Sequence, residues 1–263
     1  MIRPKFNPDW SDHVKGLYKH DMEEYWDKSI VPNAWNQYRN LLDYYLSIAH
    51  SSDPLDILDI GCAQGTLALL LAEAGHKVCA VDLRQESIDY AKSRYEKGTI
   101  EFLKHNVLEM KLPQKFDLIF ANQIIEHLVY PKEMIEQLNK QLKPGGRLII
   151  STPNHAYFKS KHPSFTELGD PKQWEHKQFS SDGDGHFFAY TQDELISLFE
   201  QSGMKQITSQ VFETPFMSGH MKIRYLHKIL PYPVLRMLDR FTLRLPLIGK
   251  RLSHQLAVIG VKH

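Results

Sequence analysis

The chain has 263 residues, of which 42% are apolar and 24% charged, and its formal net charge is +1. That composition supports a layered apolar core and excludes disordered and fibrous classes. The near-zero balance gives no whole-chain argument for nucleic acid or membrane, yet the charge is unevenly placed. Between positions 215 and 263 stand nine Lys/Arg and a single acid, Asp239, so this end carries +8 and residues 1–214 carry −7. The opening MIRPKFNPDW has no apolar leader core, and no apolar run nears the roughly 18 residues of a membrane span. The two cysteines, Cys62 and Cys79, fall in apolar stretches and read as reduced core residues of a cytoplasmic protein.

In chain order, residues 20–50 place aromatics and leucines at helical spacing around Pro32, which predicts two short amphipathic helices. Residues 55–60 predict a buried strand, 61–65 a tight loop, and 66–74 a helix ended by Gly75. A strand over 76–83, a helix over 85–97 stopped by Gly98, and a strand over 99–104 follow. Then come a strand at 116–121, a helix at 131–142, a Lys143-Pro-Gly-Gly turn and a strand at 147–151. Strands alternating with helices at this spacing predict a parallel sheet covered on both faces. The stretch 153–190 lacks periodicity and has the length of a functional loop. Thr191 then caps a helix to 201, with Glu194 at the capping-box position. Residues 206–212 and 254–261 predict the last two strands.

The run Asp59-Ile60-Gly61-Cys62-Ala63-Gln64-Gly65 joins a strand to a helix, and Asp82 ends the next strand. This is a nucleoside-binding arrangement, with backbone approaching the ligand and a carboxylate holding ribose hydroxyls. A dinucleotide fingerprint from Gly61 needs glycine at 63 and 66, where the chain has Ala63 and Thr66. Asp59 would also oppose a pyrophosphate, whereas a cationic ligand meets no such objection. S-adenosylmethionine carries a sulfonium and an ammonium, and its ribose still calls for Asp82.

Taken together, LDIGCAQG (58–65), AVDL (80–83), FDLIFANQIIEHL (116–128) and LKPGGRLIISTPN (142–154) resemble the class I S-adenosylmethionine-dependent methyltransferases. The subgroup most similar contains the ubiquinone-pathway and other small-molecule O-methyltransferases. The resemblance implies one α/β domain over 1–263, with a doubly wound, mostly parallel, seven-stranded Rossmann-like sheet. It would carry a helical cap at 20–50, a cofactor core at 55–152, a lid insertion at 153–190 after strand five, and a basic helical insertion at 215–253. By the same resemblance Gly61 and Gly65 let the backbone lie against the methionine moiety and ribose, with Asp59, Cys62 and Ala63 in the same loop. Ala63 replaces the commoner glycine. Asp82 chelates the ribose diol beside Leu83. Asn106 and Val107 stand by the adenine, Asn106 where the family often has Asp. Asn122 reaches the methionine moiety through its carbonyl, and Arg39 holds the position of a cofactor-contacting arginine.

A sulfonium donor needs no acid, but a hydroxyl acceptor at neutral pH gains from a base, and histidine titrates in range. His186 and His127 are the candidates. Their plain alternatives are a surface histidine for His186 and a loop-holding Glu126-His127 pair. In the quinone-pathway enzymes the matching segment resembles a metal site with a further Glu three residues earlier. Here that residue is Gln123, a poor ligand for a hard cation, so no required metal is expected. The spacings of His155, His162, His176 and His186 fit no zinc pattern, and Asp182-Gly-Asp184-Gly-His186 reads as a turn. Trp26, Trp35, Tyr38 and Trp174 read first as packing residues.

Residues 221–252 interleave leucines and isoleucines with Arg and Lys. They are either helices with a solvated basic face or an interfacial surface for a lipid-linked or anionic substrate. RNA is a third reading, without a recognisable RNA-binding module, and no DNA partner is expected. The expectation is therefore methyl transfer from S-adenosylmethionine to a hydroxyl of a small molecule: a quinone precursor, a saccharide or a secondary metabolite. N-methylation of tRNA or another amine and a silent cofactor-binding module are the alternatives. The expected location is cytoplasmic, with peripheral membrane contact left open.

Overall fold

The computed structural model describes residues 1–178 and 188–263. In chain order the helices are α1 (Asp12–Asp21), α2 (Pro32–Ala49), α3 (Thr66–Glu73), α4 (Gln85–Ser93) and α5 (Pro131–Gln141). They are followed by α6 (Glu175–Gln178), α7 (Gln192–Gln201), α8 (Pro215–Ser218), α9 (Tyr232–Leu243) and α10 (Ile248–Leu252). The strands are β1 (Asp56–Ile60), β2 (Lys77–Asp82), β3 (Thr99–Lys104), β4 (Phe116–Asn122), β5 (Leu142–Pro153), β6 (Met204–Phe212) and β7 (Gln255–Lys262). They make one seven-stranded sheet in the order β3-β2-β1-β4-β5-β7-β6. The chain divides into two compact units, residues 1–106 with 215–241 and residues 107–214 with 242–263.

In the first unit β1, β2 and β3 pair in parallel, with Ile57 opposite Val78 and Val78 opposite Ile100. Continuous burial along β1 and β2 is the mark of strands covered on both faces. Helical residues stand on both sides of Pro32, as the sequence predicts: α1 runs on into a π-helical turn over Met22–Trp26, and after a short break comes Pro32. It opens α2 at a first-turn position, where its missing N–H costs nothing. The first of these helices begins before the expected residue 20: α1 is capped by Ser11, whose hydroxyl accepts from the Val14 N–H. Helix α4 ends at Ser93, short of the expected 97, and Gly98 turns the chain at φ +100° where a Cβ would stand 2.4 Å from the Ala72 carbonyl oxygen. The face of α2 bearing Asn36 and Asp43 is tied to the 215–241 segment. Asn36 Nδ2 lies 3.0 Å from His227 Nδ1, and Asp43 accepts from Tyr232 and Arg236.

In the second unit β4 and β5 run parallel, while β7 is antiparallel to both β5 and β6. The expected Lys143-Pro-Gly-Gly turn is a bulge inside β5. Phe116 faces Leu142, and pairing resumes with Leu118 opposite Arg147. Helix α7 begins as its sequence predicts, with a reciprocal capping box between Thr191 and Glu194. Residues 153–178 hold short helical turns at Thr166–Leu168 and Pro171–Trp174 rather than a structureless loop. Among the described residues no helix is long and apolar enough to cross a membrane.

Candidate functional site

The loop between β1 and α3 is built by backbone hydrogen bonds and left-handed residues. The N–H groups of Gly61 and Cys62 both donate to the Val81 carbonyl, at 2.7 and 3.0 Å, which pins the loop to the end of β2. Gly61, Ala63 and Gly65 all have positive φ, at 68°, 46° and 77°. At Gly65 the reason is packing as well as conformation. A Cβ there would sit 2.6 Å from the Ala91 Cβ on α4, so glycine is needed for loop and helix to meet. Ala63 accepts a conformation costing roughly 1 kcal/mol for an L-residue, and its methyl packs against the Val14, Leu17 and Tyr90 cluster.

Asp82 sits at the end of β2 with its carboxylate turned back to this loop. Oδ2 accepts from the Ala63 N–H at 3.0 Å and Oδ1 from the Arg84 N–H at 2.9 Å. An ionised carboxylate offers about four acceptor positions, so each oxygen keeps one for a ligand hydroxyl. Two adjacent hydroxyls on one ring are its natural complement. Asp59 is buried, and burial together with the Asp82 charge pushes its carboxyl up to about 7. A cation beside that pair would favour the ionised form of Asp59; a phosphate would disfavour it. Leu83 is exposed, Asn106 half-buried just past β3, and Cys62 buried as a free thiol raised by burial and by the charges of Asp59 and Asp82.

The sequence reading missed what holds this loop from the other side. Arg94 has no exposed surface; its Nη2 pairs with Asp21 Oδ1 at 2.7 Å, and its Nη1 donates to the Gln64 carbonyl and to Thr66 Oγ1. Asp21 also accepts from Trp26 Nε1 and the Tyr90 hydroxyl, at 3.1 and 2.9 Å. Gln64 Nε2 donates to Glu24 and, at 3.5 Å, to the Tyr38 hydroxyl. Residues 21–38 thus grip the loop through polar bonds, and Trp26 and Tyr38 are part of that grip. Arg39 does not join it. Its exposed guanidinium lies over the rings of Trp35 and Tyr232, at 5.2 and 4.7 Å. An arginine within a predicted amphipathic helix carries no local signal of such a role.

In the second unit Val107 is buried, and Asn122 ends β4 where its Oδ1 accepts from Ser151 Oγ at 3.2 Å. Gln123 follows at φ +54° and donates through its side-chain amide to Gln255 Oε1 at 2.8 Å. The next turn, Ile125–His127, separates the Glu126-His127 pair. Glu126 is wholly buried, accepts from Thr152 Oγ1 at 3.1 Å, and is pushed by burial up to about 8. It therefore ties the turn to β5 as a neutral acid. His127 is half-exposed on the same turn. With Gln123 engaged and Glu126 turned inward, these residues do not fit a metal, and among the described residues no three His, Cys, Asp or Glu converge on one. His186, Asp182 and Asp184 lie outside the described residues. Two positions beyond His127, Val129 joins Phe165, Leu168, Pro171 and Trp174 around a cavity of about 250 Å³.

The model of the methyltransferase domain matches residues 18–209, well over half of the sequence. The chain belongs to the methyltransferase domain family. Its cofactor is accordingly S-adenosylmethionine. Among curated relatives, the mitochondrial ubiquinone biosynthesis O-methyltransferase of Schizosaccharomyces pombe is 35% identical over 36% of this chain and 37% of its own length. The ubiquinone biosynthesis O-methyltransferase of Rickettsia canadensis is 31% identical over 54% of this chain and 66% of its own. A malonyl-[acyl-carrier protein] O-methyltransferase of Acetivibrio thermocellus is 32% identical over 44% and 41%. The matches thus span less than two thirds of these relatives' own length. In fold the chain is similar to a SAM-dependent methyltransferase of Archaeoglobus fulgidus, with TM-score 0.58, 18% identity and coverage of 93% and 99%. The magnesium protoporphyrin IX methyltransferase of Synechocystis with bound SAH gives TM-score 0.59, 14% identity and coverage of 96% and 95%.

Proposed function

We propose that this methyltransferase transfers the methyl group to a hydroxyl of a small molecule, within the range of quinone precursors, saccharides and secondary metabolites. The observation that carries the cofactor half of this reading is the Asp82 carboxylate, held by two backbone N–H groups with an acceptor position left on each oxygen. In this reading Gly61 and Gly65 let the backbone lie against the methionine moiety and ribose, Asn106 and Val107 stand by the adenine, and Asn122 reaches the methionine moiety through its backbone carbonyl. Bound S-adenosylmethionine supplies an activated methyl group. The chain's own residues have only to align the acceptor and take its proton.

The O-methyltransferase names of the sequence relatives support oxygen over nitrogen as the acceptor atom. The cavity beside Val129, walled by Phe165 and Trp174, takes the apolar body of the acceptor. His127 or His186 removes the hydroxyl proton; Glu126, buried and neutral, does not. Incubating the protein with radiolabelled S-adenosylmethionine and panels of phenols, sugars and amines tests the reading. Label entering hydroxyl acceptors supports it, while label entering only amines or tRNA replaces it with N-methylation. Full activity of both His127→Gln and His186→Gln across pH 6–9 removes the base from the mechanism. A true base changed to Gln lowers turnover by roughly 10²–10⁴ and leaves cofactor affinity alone.

A further inference from the structure

Residues 221–241 take no part in the cofactor loop, and their surface is made of two residue classes. Met221, Tyr225, Ile229, Met237 and Phe241 are exposed, Ile229 at 76% and Phe241 at 64%. Lys222, Arg224, Lys228 and Arg240 are exposed among them. Helix α9 shows the pattern most clearly. Tyr232, Leu235, Asp239 and Thr242 are buried on one face. At about 100° per residue, Pro233, Met237, Arg240 and Phe241 fan across the opposite arc, and all four are exposed. Asp239, the single acid between 215 and 263, is on the buried face, so the outer arc is apolar and cationic without any compensating carboxylate.

Water alone does not account for such a face, since a solvated helix mixes both charge signs and keeps large apolar side chains few. Nucleic acid rewards the cations but not Ile229, Met237 or Phe241. A lipid headgroup layer rewards both: apolar tips enter the acyl boundary while guanidinium and ammonium groups meet phosphate. We propose that α9 and the 221–231 segment before it form a docking surface for an anionic lipid bilayer. The inference holds whatever the methyl acceptor is, because none of these residues belongs to the catalytic or cofactor machinery.

The test is co-sedimentation of the full chain with vesicles of phosphatidylcholine alone or with one third phosphatidylglycerol. Binding to the anionic vesicles only, weakened by salt, is the expected result. Met237→Ser with Phe241→Ser should weaken it by about tenfold, and Arg240→Glu with Lys228→Glu by about as much. S-adenosylhomocysteine binding, unchanged in every variant, shows that the fold and the cofactor site survive. In Phe241→Trp, a blue shift of emission on adding anionic vesicles reports insertion without any loss of residues. Equal binding to neutral vesicles, no binding, or tighter binding to a short RNA or an acidic protein than to vesicles overturns the proposal.

Discussion

Asp82 accepts one backbone N–H on each carboxylate oxygen, which leaves each with a further acceptor position for the ribose hydroxyls proposed above. Removing it should cost charge-assisted bonds to the ribose. We expect Asp82→Ala to weaken S-adenosylmethionine binding by about 2–3 kcal/mol in calorimetry. An unchanged dissociation constant would withdraw Asp82 from the site. Asp59 leads to a second expectation. With its carboxyl near 7 in the free protein, a cation bound nearby draws it toward the ionised state. Affinity for S-adenosylmethionine should therefore rise as pH approaches about 7, more steeply than affinity for S-adenosylhomocysteine, whose sulfur is neutral. Asp59→Asn should bring the two pH slopes together; parallel slopes in the parent protein would count against the idea. Both aspartates stand out in the sequence, Asp82 as the end of an apolar strand and Asp59 as an acid inside one, just before the glycine loop. Arg39 was named by resemblance alone, and its stacking between Trp35 and Tyr232 depends on the distant 215–241 segment.

At the scale of elements, the grip of residues 21–38 on the β1–α3 loop centres on the buried Asp21–Arg94 ion pair, with the bonds of Gln64 to Glu24 and Tyr38 beside it. Taking a single partner from such a pair leaves a charge without compensation, at a cost of about 3–5 kcal/mol. Arg94→Met should lower stability by about that amount in urea melts, and it frees the Gln64 carbonyl that Nη1 now holds. A loss under about 1 kcal/mol would mean that the pair contributes no more than an exposed one. Elements whose signals are local were legible: alternating strands, the Thr191 capping box, and the loop glycines. The start of α1 was placed too late because the apolar residues of its first turns match Tyr90 and Ala63, far along the chain. The bulge in β5 was also hidden, since Lys143-Pro-Gly-Gly is as good a turn sequence outside a strand as within one.

For the whole molecule, Asp59 and Glu126 carry the same thermodynamic consequence. Each has a native-state carboxyl pushed well above its ordinary range, to about 7 and about 8, chiefly by burial. Between about pH 4 and those values the folded chain holds protons that the unfolded chain has released. Stability changes with pH as the protons bound by the unfolded state minus those bound by the native state, which for these groups is negative. Their contribution is thus fully favourable below about pH 4, declines as pH rises, and levels off once both have ionised above about pH 8. Asparagine and glutamine at the two positions stay neutral at every pH and keep an oxygen to accept from Thr152 in the second case. The parent and the Asp59→Asn, Glu126→Gln double variant should therefore differ most in slope rather than in level. Melting temperatures measured from pH 5 to pH 9 should fall for the parent by several degrees more than for the variant, in line with a difference of a few kcal/mol spread over this range. If S-adenosylmethionine binds beside Asp59 as proposed, saturating it should shrink the Asp59 share of that gap and leave the Glu126 share. Identical pH slopes for parent and variant would show that both carboxyls titrate in their ordinary range, and the neutral, inward-facing Glu126 would then have to be abandoned.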